Sequence, residues 1–317
     1  MTLHRQIAAR VGGAALVLWA AATVTFAALH LVPGDPVMAL LGGGAGSNPT
    51  PETIAATRHA YGLDQPLPLQ YAHHLGRILT GDLGVSTSLK ENVDTVIAGQ
   101  LPDTIELTVT ALLFAWVLAG AVVLLSVGRG RFAAALGSGL ETVSAGLPHF
   151  WLGVVLLYAF AFRLGWFPVA GGTGFAGLVL PALTLAVPLA GYLGQVTRTA
   201  LLTALDQPFV TSARLRGMSA GAVKARRALR HALLPPLTLS GWAVGALFSS
   251  EVVVEAVFAR QGIGRALLNA VLARDLPLTT GIVLLIATVY VLVNLIVDLV
   301  HAAVDPRVRT SVRELPA

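Results

Sequence analysis

A chain of 317 residues with no cysteine cannot form disulfide bonds or thiolate metal sites. It is 55% hydrophobic and only 12% charged, with a mean hydropathy of +0.76, which excludes an ordinary soluble domain and points to an integral membrane protein. The net charge of +5 needs no nucleic acid to explain it, because no RNA- or DNA-binding motif accompanies it.

Crossing a bilayer core of roughly 30 Å takes about 20 apolar helical residues. Six segments qualify, near 10–32, 104–127, 134–162, 178–205, 236–258 and 278–302. Their continuous Leu, Ala, Val and Gly content sets aside an outer-membrane barrel, whose strands alternate in hydropathy over about ten residues. In the first, Arg5 and Arg10 precede 22 residues without formal charge, Val11 to Val32. The apolar region of a cleavable signal runs roughly 7–15 residues, so this segment reads as a retained helix.

Residues 33–101 differ in composition and read as an extracytoplasmic segment with short helices, the alternative being a passive loop. A PGDP turn and a flexible GGGAGSNPTP stretch lead into a helix expected over Pro51–Tyr61, with Thr50 as N-cap and Gly62 as its stop. Leu63–Pro68 reads as an extended connector, and a second short helix is expected from Leu69 to Leu79, before Gly81. The remaining spans form a core over 102–302, followed by a tail at 303–317.

Lys and Arg flanking spans stay in the cytoplasm. With the N-terminus inside, that side receives fourteen cations: Arg5, Arg10, Arg129, Arg131, seven from Arg198 to Arg230, and Arg307, Arg309 and Arg313. The other side receives seven over far more residues, so both termini are expected in the cytoplasm. The loop at 206–234 is the densest cationic stretch. From Ala220 to Leu233, Ala222, Ala225, Leu229, Ala232 and Leu233 recur at helical spacing, with Lys224, Arg227, Arg230 and His231 mainly on another face. Gly217 supplies a left-handed stop, Ser219 a cap, and Pro235 with Pro236 a separation from the next span. Such a loop suits docking to a protein; lying on anionic membrane lipid is the other use of this composition.

The chemistry of catalysis is missing. Neither lysine, Lys90 or Lys224, follows a glycine, so there is no phosphate-binding GxxxxGK[ST] loop, and neither GxSxG nor HExxH occurs. His73 and His74 are read as adjacent loop residues pointing apart. No catalytic, cofactor-binding or metal residue is expected in this chain. Four carboxylates sit within spans, where charge is costly and therefore informative. Glu106 and Glu141, near span ends, read as solvated or helix-capping, and Asp298 as a boundary residue. Glu251 and Glu255, four apart on one helix face, are expected to line a translocation path; contact with Arg260 or a partner subunit is the structural alternative.

Several motifs occur in order along the whole chain: LVPGDPV at 31–37, YGLDQPL at 61–67, GDLGVS at 81–86, QLPDTIELT at 100–108, FWLGVVL at 150–156, LGWFPVAG at 164–171, LPALTLA at 180–186, VVVEAVFARQGIGRALLNAV at 252–271 and DPRVR at 305–309. Together they resemble the dipeptide, oligopeptide and nickel permeases of bacterial ABC importers. The resemblance implies an all-α polytopic membrane protein with six transmembrane helices, the type I ABC importer transmembrane fold, and a place in the bacterial inner membrane. It also implies a second homologous permease subunit, two ATP-binding subunits that hold ATP and Mg, and an extracytoplasmic substrate-binding protein. The 206–234 loop would carry the coupling helix, with Ala213, Arg214, Leu215, Arg216, Gly217 and Met218 at the ATPase contact. Position 211 is Thr, so the Glu of the broader EAA loop is absent. Peptides are the favoured substrate and nickel or metal chelates the alternative. An ion-coupled secondary transporter, or a receptor whose loop simply binds a cytoplasmic protein, are the readings outside this family.

Overall fold

The computed structural model describes residues 3–31, 35, 37, 38, 41, 49–172 and 174–304. Most of LVPGDPV and GGGAGSNPTP, the DPRVR motif with Arg307, Arg309 and Arg313, and the side chains of Arg5 and Asp298 lie outside the described residues. Twelve helices follow in order among the described residues: α1 (Leu3–Leu31), α2 (Pro51–Ala60), α3 (Leu67–Leu79), α4 (Val93–Ser126), α5 (Arg131–Ala145), α6 (His149–Leu156), α7 (Gly174–Leu205), α8 (Pro208–Leu215), α9 (Ala220–Val223), α10 (Leu234–Val257), α11 (Ile263–Leu272) and α12 (Leu276–Val304). A π-helical stretch, Leu157–Arg163, extends α6, and α9 continues through a π-helical stretch, Lys224–Ala228, into a last turn, Leu229–Ala232. Among the described residues no strand forms, only an isolated bridge between Val85 and Asn92.

Among the described residues five stretches are long and apolar enough to cross a membrane: Arg10–Ala28, Val93–Ser126, Gly174–Leu205, Leu234–Val257 and Leu276–Ile296. The third expected span, 134–162, is not one straight helix. It is the pair Arg131–Ala145 and His149–Arg163, bent by 103°. The break falls at Gly146-Leu147-Pro148, where proline restricts the residue before it and removes a backbone donor, so the first helix ends and a second starts from Pro148.

The chain divides into two compact units, residues 1–102 with 262–291 and residues 103–261 with 292–317. In the first, Thr50 caps α2 through Thr53 N (3.3 Å) and Gly62, at φ +63, turns the chain out of it. The expected extended connector is instead a turn, Leu63 N bonding Arg58 O at 2.9 Å. Here α3 begins at Leu67, two residues early, because Pro66 and Pro68 preset the backbone of a first helical turn. His73 and His74 sit on this helix, as the expected span Leu69–Leu79 required, and not in a loop, with the His74 ring 5.4 Å from Phe26 of α1. Tyr71 hydroxyl meets Thr23 hydroxyl at 2.7 Å. A second cluster joins Val93, Ile97, Ile263, Ala270, Leu278 and Ile282. Gly281 lets two helices approach there, since a Cβ on it would lie 2.5 Å from Val93 Cγ1. Asp275 is buried and receives Ser86 Oγ (2.5 Å), Ser88 N (2.9 Å), Ser88 Oγ (2.7 Å) and Leu278 N (3.1 Å). Burial pushes its carboxyl up, but these donors outweigh it and leave the group below the usual carboxylate value.

In the second unit α7 is the central helix. Leu185, Ala186, Leu189, Ala190 and Leu193 of α7 join Leu107, Ala111 and Ala115 of α4 and Ala243, Leu247 and Val254 of α10 in one apolar core. Glycines bring α5 against α7: a Cβ on Gly191 would lie 2.4 Å from Ala145 N, and one on Gly194 2.8 Å from Glu141 Cγ.

Candidate coupling loop and buried polar sites

The basic loop is two short helices clasped by their own small core. Pro208 opens α8 at its first positions, where a missing N–H costs nothing. After Leu215 the chain closes with Gly217 N on Arg214 O (2.9 Å) and Met218 N on Ala213 O (3.2 Å), and Gly217 takes φ +84. A left-handed residue at a helix end favours glycine. Ser219 then caps α9, accepting from Ala222 N at 3.3 Å. Val210, Ala213 and Val223 form the clasp, with Phe209 and Met218 partly buried on it.

This places the six expected contact residues on both sides of the clasp. Ala213 is buried and Met218 half-buried, whereas Arg214, Leu215, Arg216 and Gly217 are exposed. Leu215 is 84% accessible, a bare apolar side chain between two guanidinium-bearing residues.

The apolar face expected for 220–233 is corrected. Ala225 and Leu233 are exposed and Ala222 is half-buried, while Val223, Ala228 and Ala232 are buried. The π-helical stretch interrupts the regular period here, and the buried residues divide between two clusters: Val223 joins the clasp with Val210 and Ala213, whereas Ala228 and Ala232 meet Val123 and Val127 at the end of α4 and Leu201 and Ala204 at the end of α7. Lys224 also departs from expectation. Its Nζ turns inward and donates to Leu124 O and Val127 O, both at 2.8 Å. Burial, with Arg129 nearby, holds its ammonium below the usual lysine value. Pro235 and Pro236 lie in the first turn of α10 rather than between helices, and the Phe209 and His231 rings meet tilted by 43°, their centres 4.9 Å apart.

Glu141 is not solvated. Its side chain is 2% accessible and meets Arg198 of α7 in two parallel bonds, Nε to Oε2 and Nη2 to Oε1, each 2.7 Å. Arg198 Nη2 also donates to Ser126 Oγ at 2.6 Å. Gly137 makes the space, because a Cβ there would stand 2.3 Å from Ser126 Oγ and 2.5 Å from Arg198 Nη2. The sequence signal existed: an arginine and a glutamate each inside an apolar stretch call for a partner, but nothing in the spacing paired them. Glu106 is half-exposed and pairs with Arg260 at 2.7 Å.

Glu251 and Glu255 are both fully buried in this chain. Thr108 Oγ1 donates to Glu251 Oε1 at 2.6 Å and Thr104 Oγ1 to Glu255 Oε1 at 2.9 Å, so the shared face of α10 is turned to two hydroxyls one turn apart on α4. Glu251 Oε2 is buried with no hydrogen-bond partner. Among the described residues no group of three or more His, Cys, Asp or Glu is placed to hold a metal ion.

Comparison with known proteins bears on these sites together. The family model for a binding-protein-dependent transport system inner membrane component matches residues 111–310, and the N-terminal model of the same membrane component matches residues 3–108. A Brucella abortus (strain 2308) protein that bears the name of a peptide transport system permease is 36% identical over 311 residues, 95% of this chain and 97% of that protein. The glutathione transport system permease protein GsiC of Salmonella typhimurium (strain LT2) is 34% identical over 289 residues, 91% of this chain and 93% of that protein. A solved chain of the MetNI methionine ABC transporter in an inward-facing conformation matches with a TM-score of 0.55 at 18% identity, covering 66% of this chain and 96% of the solved one, a likeness of fold. The chain belongs to the family of binding-protein-dependent transport system inner membrane components, the multi-pass inner-membrane permease subunits of ABC importers.

Proposed function

We propose that this chain forms half of the translocation path of an ATP-driven importer of peptides, with both termini in the cytoplasm. The single observation that carries the energy-coupling part is the loop knob: exposed Leu215 between Arg214 and Arg216, held on a helix pair with its own buried clasp. Arginine is enriched among the residues that carry docking energy, exposed Leu215 adds apolar area to bury between two of them, and a rigid base lets a push on the knob reach the spans. Because the loop is continuous with α7 and α10, its displacement tilts both. Two separate ATPase subunits, binding ATP and Mg, supply that push; a second homologous permease completes the path; an extracytoplasmic binding protein delivers substrate to the 33–101 segment. The peptide assignment is supported by relatives named for peptide and for glutathione transport, glutathione being itself a small peptide.

Glu251 and Glu255 fit this scheme as a wall of the path that opens late. Held against Thr108 and Thr104, they face substrate when the stretch of α10 around Glu251 and Glu255 parts from the 104–108 stretch of α4, far from the end of α4 that meets the loop.

The test is to isolate the tagged chain from its own membrane with its co-purifying subunits and compare it with Arg214→Glu/Arg216→Glu. The double reversal is expected to lose the ATPase subunits, and with them bound ATPase activity by at least tenfold, while the chain remains folded. Unchanged ATPase recovery refutes the docking assignment.

A further inference from the structure

We infer that Lys224 is a positioning residue that locks the coupling loop to the second span, so that α4 moves with the loop and not only α7 and α10. This rests on the importer reading above and adds to it a transmission path that chain continuity does not provide.

The last carbonyls of a helix have no intrahelical partner, and a cation there answers both the orphaned acceptors and the helix dipole. At the end of α4 that cation comes from 100 residues away. Lys224 Nζ reaches Leu124 O and Val127 O at 2.8 Å each, from the first residue of the π-helical stretch of the loop. Gly128, at φ +78, turns the chain directly after these carbonyls and leaves the helix end open to the ammonium.

The π-helical stretch is what makes the reach compatible with packing. It buries Val223 on one side of Lys224 and Ala228 on the other, and Ala228 and Ala232 lie in the same cluster as Val123 and Val127. Apolar contact alone could slide; two directed bonds from one ammonium fix the register between loop and helix. A second tie meets the same helix end, since Arg198 donates to Ser126 Oγ at 2.6 Å. It comes from α7, which is already continuous with the loop, so Lys224 is the tie made by the loop itself.

This chain has no native cysteine, so two introduced thiols label it selectively once any thiol of the co-purifying subunits is replaced. Spin labels are placed at Leu125→Cys, 57% accessible on α4, and at Arg227→Cys, exposed on the loop. Pulsed electron–electron double resonance is then recorded on the complex isolated with its ATPase subunits, without nucleotide and trapped with ATP and vanadate. With Lys224 present the distance distribution is expected to be narrow and the same in both states. Lys224→Met is expected to broaden it and shift it on trapping, while the ATPase subunits stay bound. Lys224→Arg, which keeps two donors, restores the native result. A Lys224→Met distribution that overlays the wild type in both states, or a wild-type distribution that itself shifts on trapping, overturns the latch. Failure of wild-type chain to carry any ATPase subunit overturns the importer reading, and the latch with it.

Discussion

Replacing Glu141 by Gln keeps the shape of a buried pair and removes one of its charges. Arg198 is left with a side chain only 12% accessible and with no counter-charge. Two unit charges about 4 Å apart attract by about 4 kcal/mol at an effective dielectric near 20, and much of that offsets the cost of taking both from water. Removing one partner exposes the uncompensated cost, typically about 3–5 kcal/mol. Glutamine retains one weaker bond to the guanidinium, so the expected loss is near the lower end, about 3 kcal/mol. Removing both charges together, Glu141→Leu with Arg198→Met, is expected to fall within about 1 kcal/mol of the wild type, because a well-packed apolar pair replaces an ion pair at little net cost. Equilibrium unfolding of the purified chain in mixed micelles titrated with sodium dodecyl sulfate, followed by far-ultraviolet circular dichroism, measures all three proteins. A Glu141→Gln loss under about 1 kcal/mol, or a double variant no better than the single one, would refute the reasoning.

His59 and Asp64 meet at 2.7 Å on the segment between α1 and α4, and the hydrogen bond to Asp64 with its charge raises the histidine above its ordinary value of 6.5. A raised histidine contributes fully below the unfolded value and loses its contribution as pH climbs through the folded one; nuclear magnetic resonance titration is therefore expected to place His59 above 6.5 and to return it there in Asp64→Asn. Glu255→Gln is expected to lower peptide uptake by reconstituted complex at least tenfold with assembly intact, and wild-type uptake would reduce Glu255 to a structural role such as its contact with Thr104.

Sequence periodicity reports burial only where the helix is regular and the partner is lipid or core. The Thr50 and Ser219 caps and the Gly62 and Gly217 stops were legible because each acts within four residues of itself. The face of 220–233 was not, because a π-helical insertion shifts every later residue and leaves no mark on composition. The bend at Gly146-Leu147-Pro148 was written in the chain, yet continuous hydropathy across it masked a 103° turn. Glu141 with Arg198, and Lys224 with the end of α4, join residues 57 and about 100 positions apart, a distance at which only the fold decides who meets whom. Glu251 and Glu255 were correctly placed on one face, but spacing could not say that the face opposes Thr108 and Thr104.

The most direct measurement of the central claim is mass spectrometry of what co-purifies, in fixed ratio, with the tagged chain after gentle extraction from its native membrane. The account predicts a second six-span permease and two ATPase subunits, the latter lost in Arg214→Glu/Arg216→Glu. Recovery of the chain alone, from a preparation that preserves other membrane complexes, would contradict it.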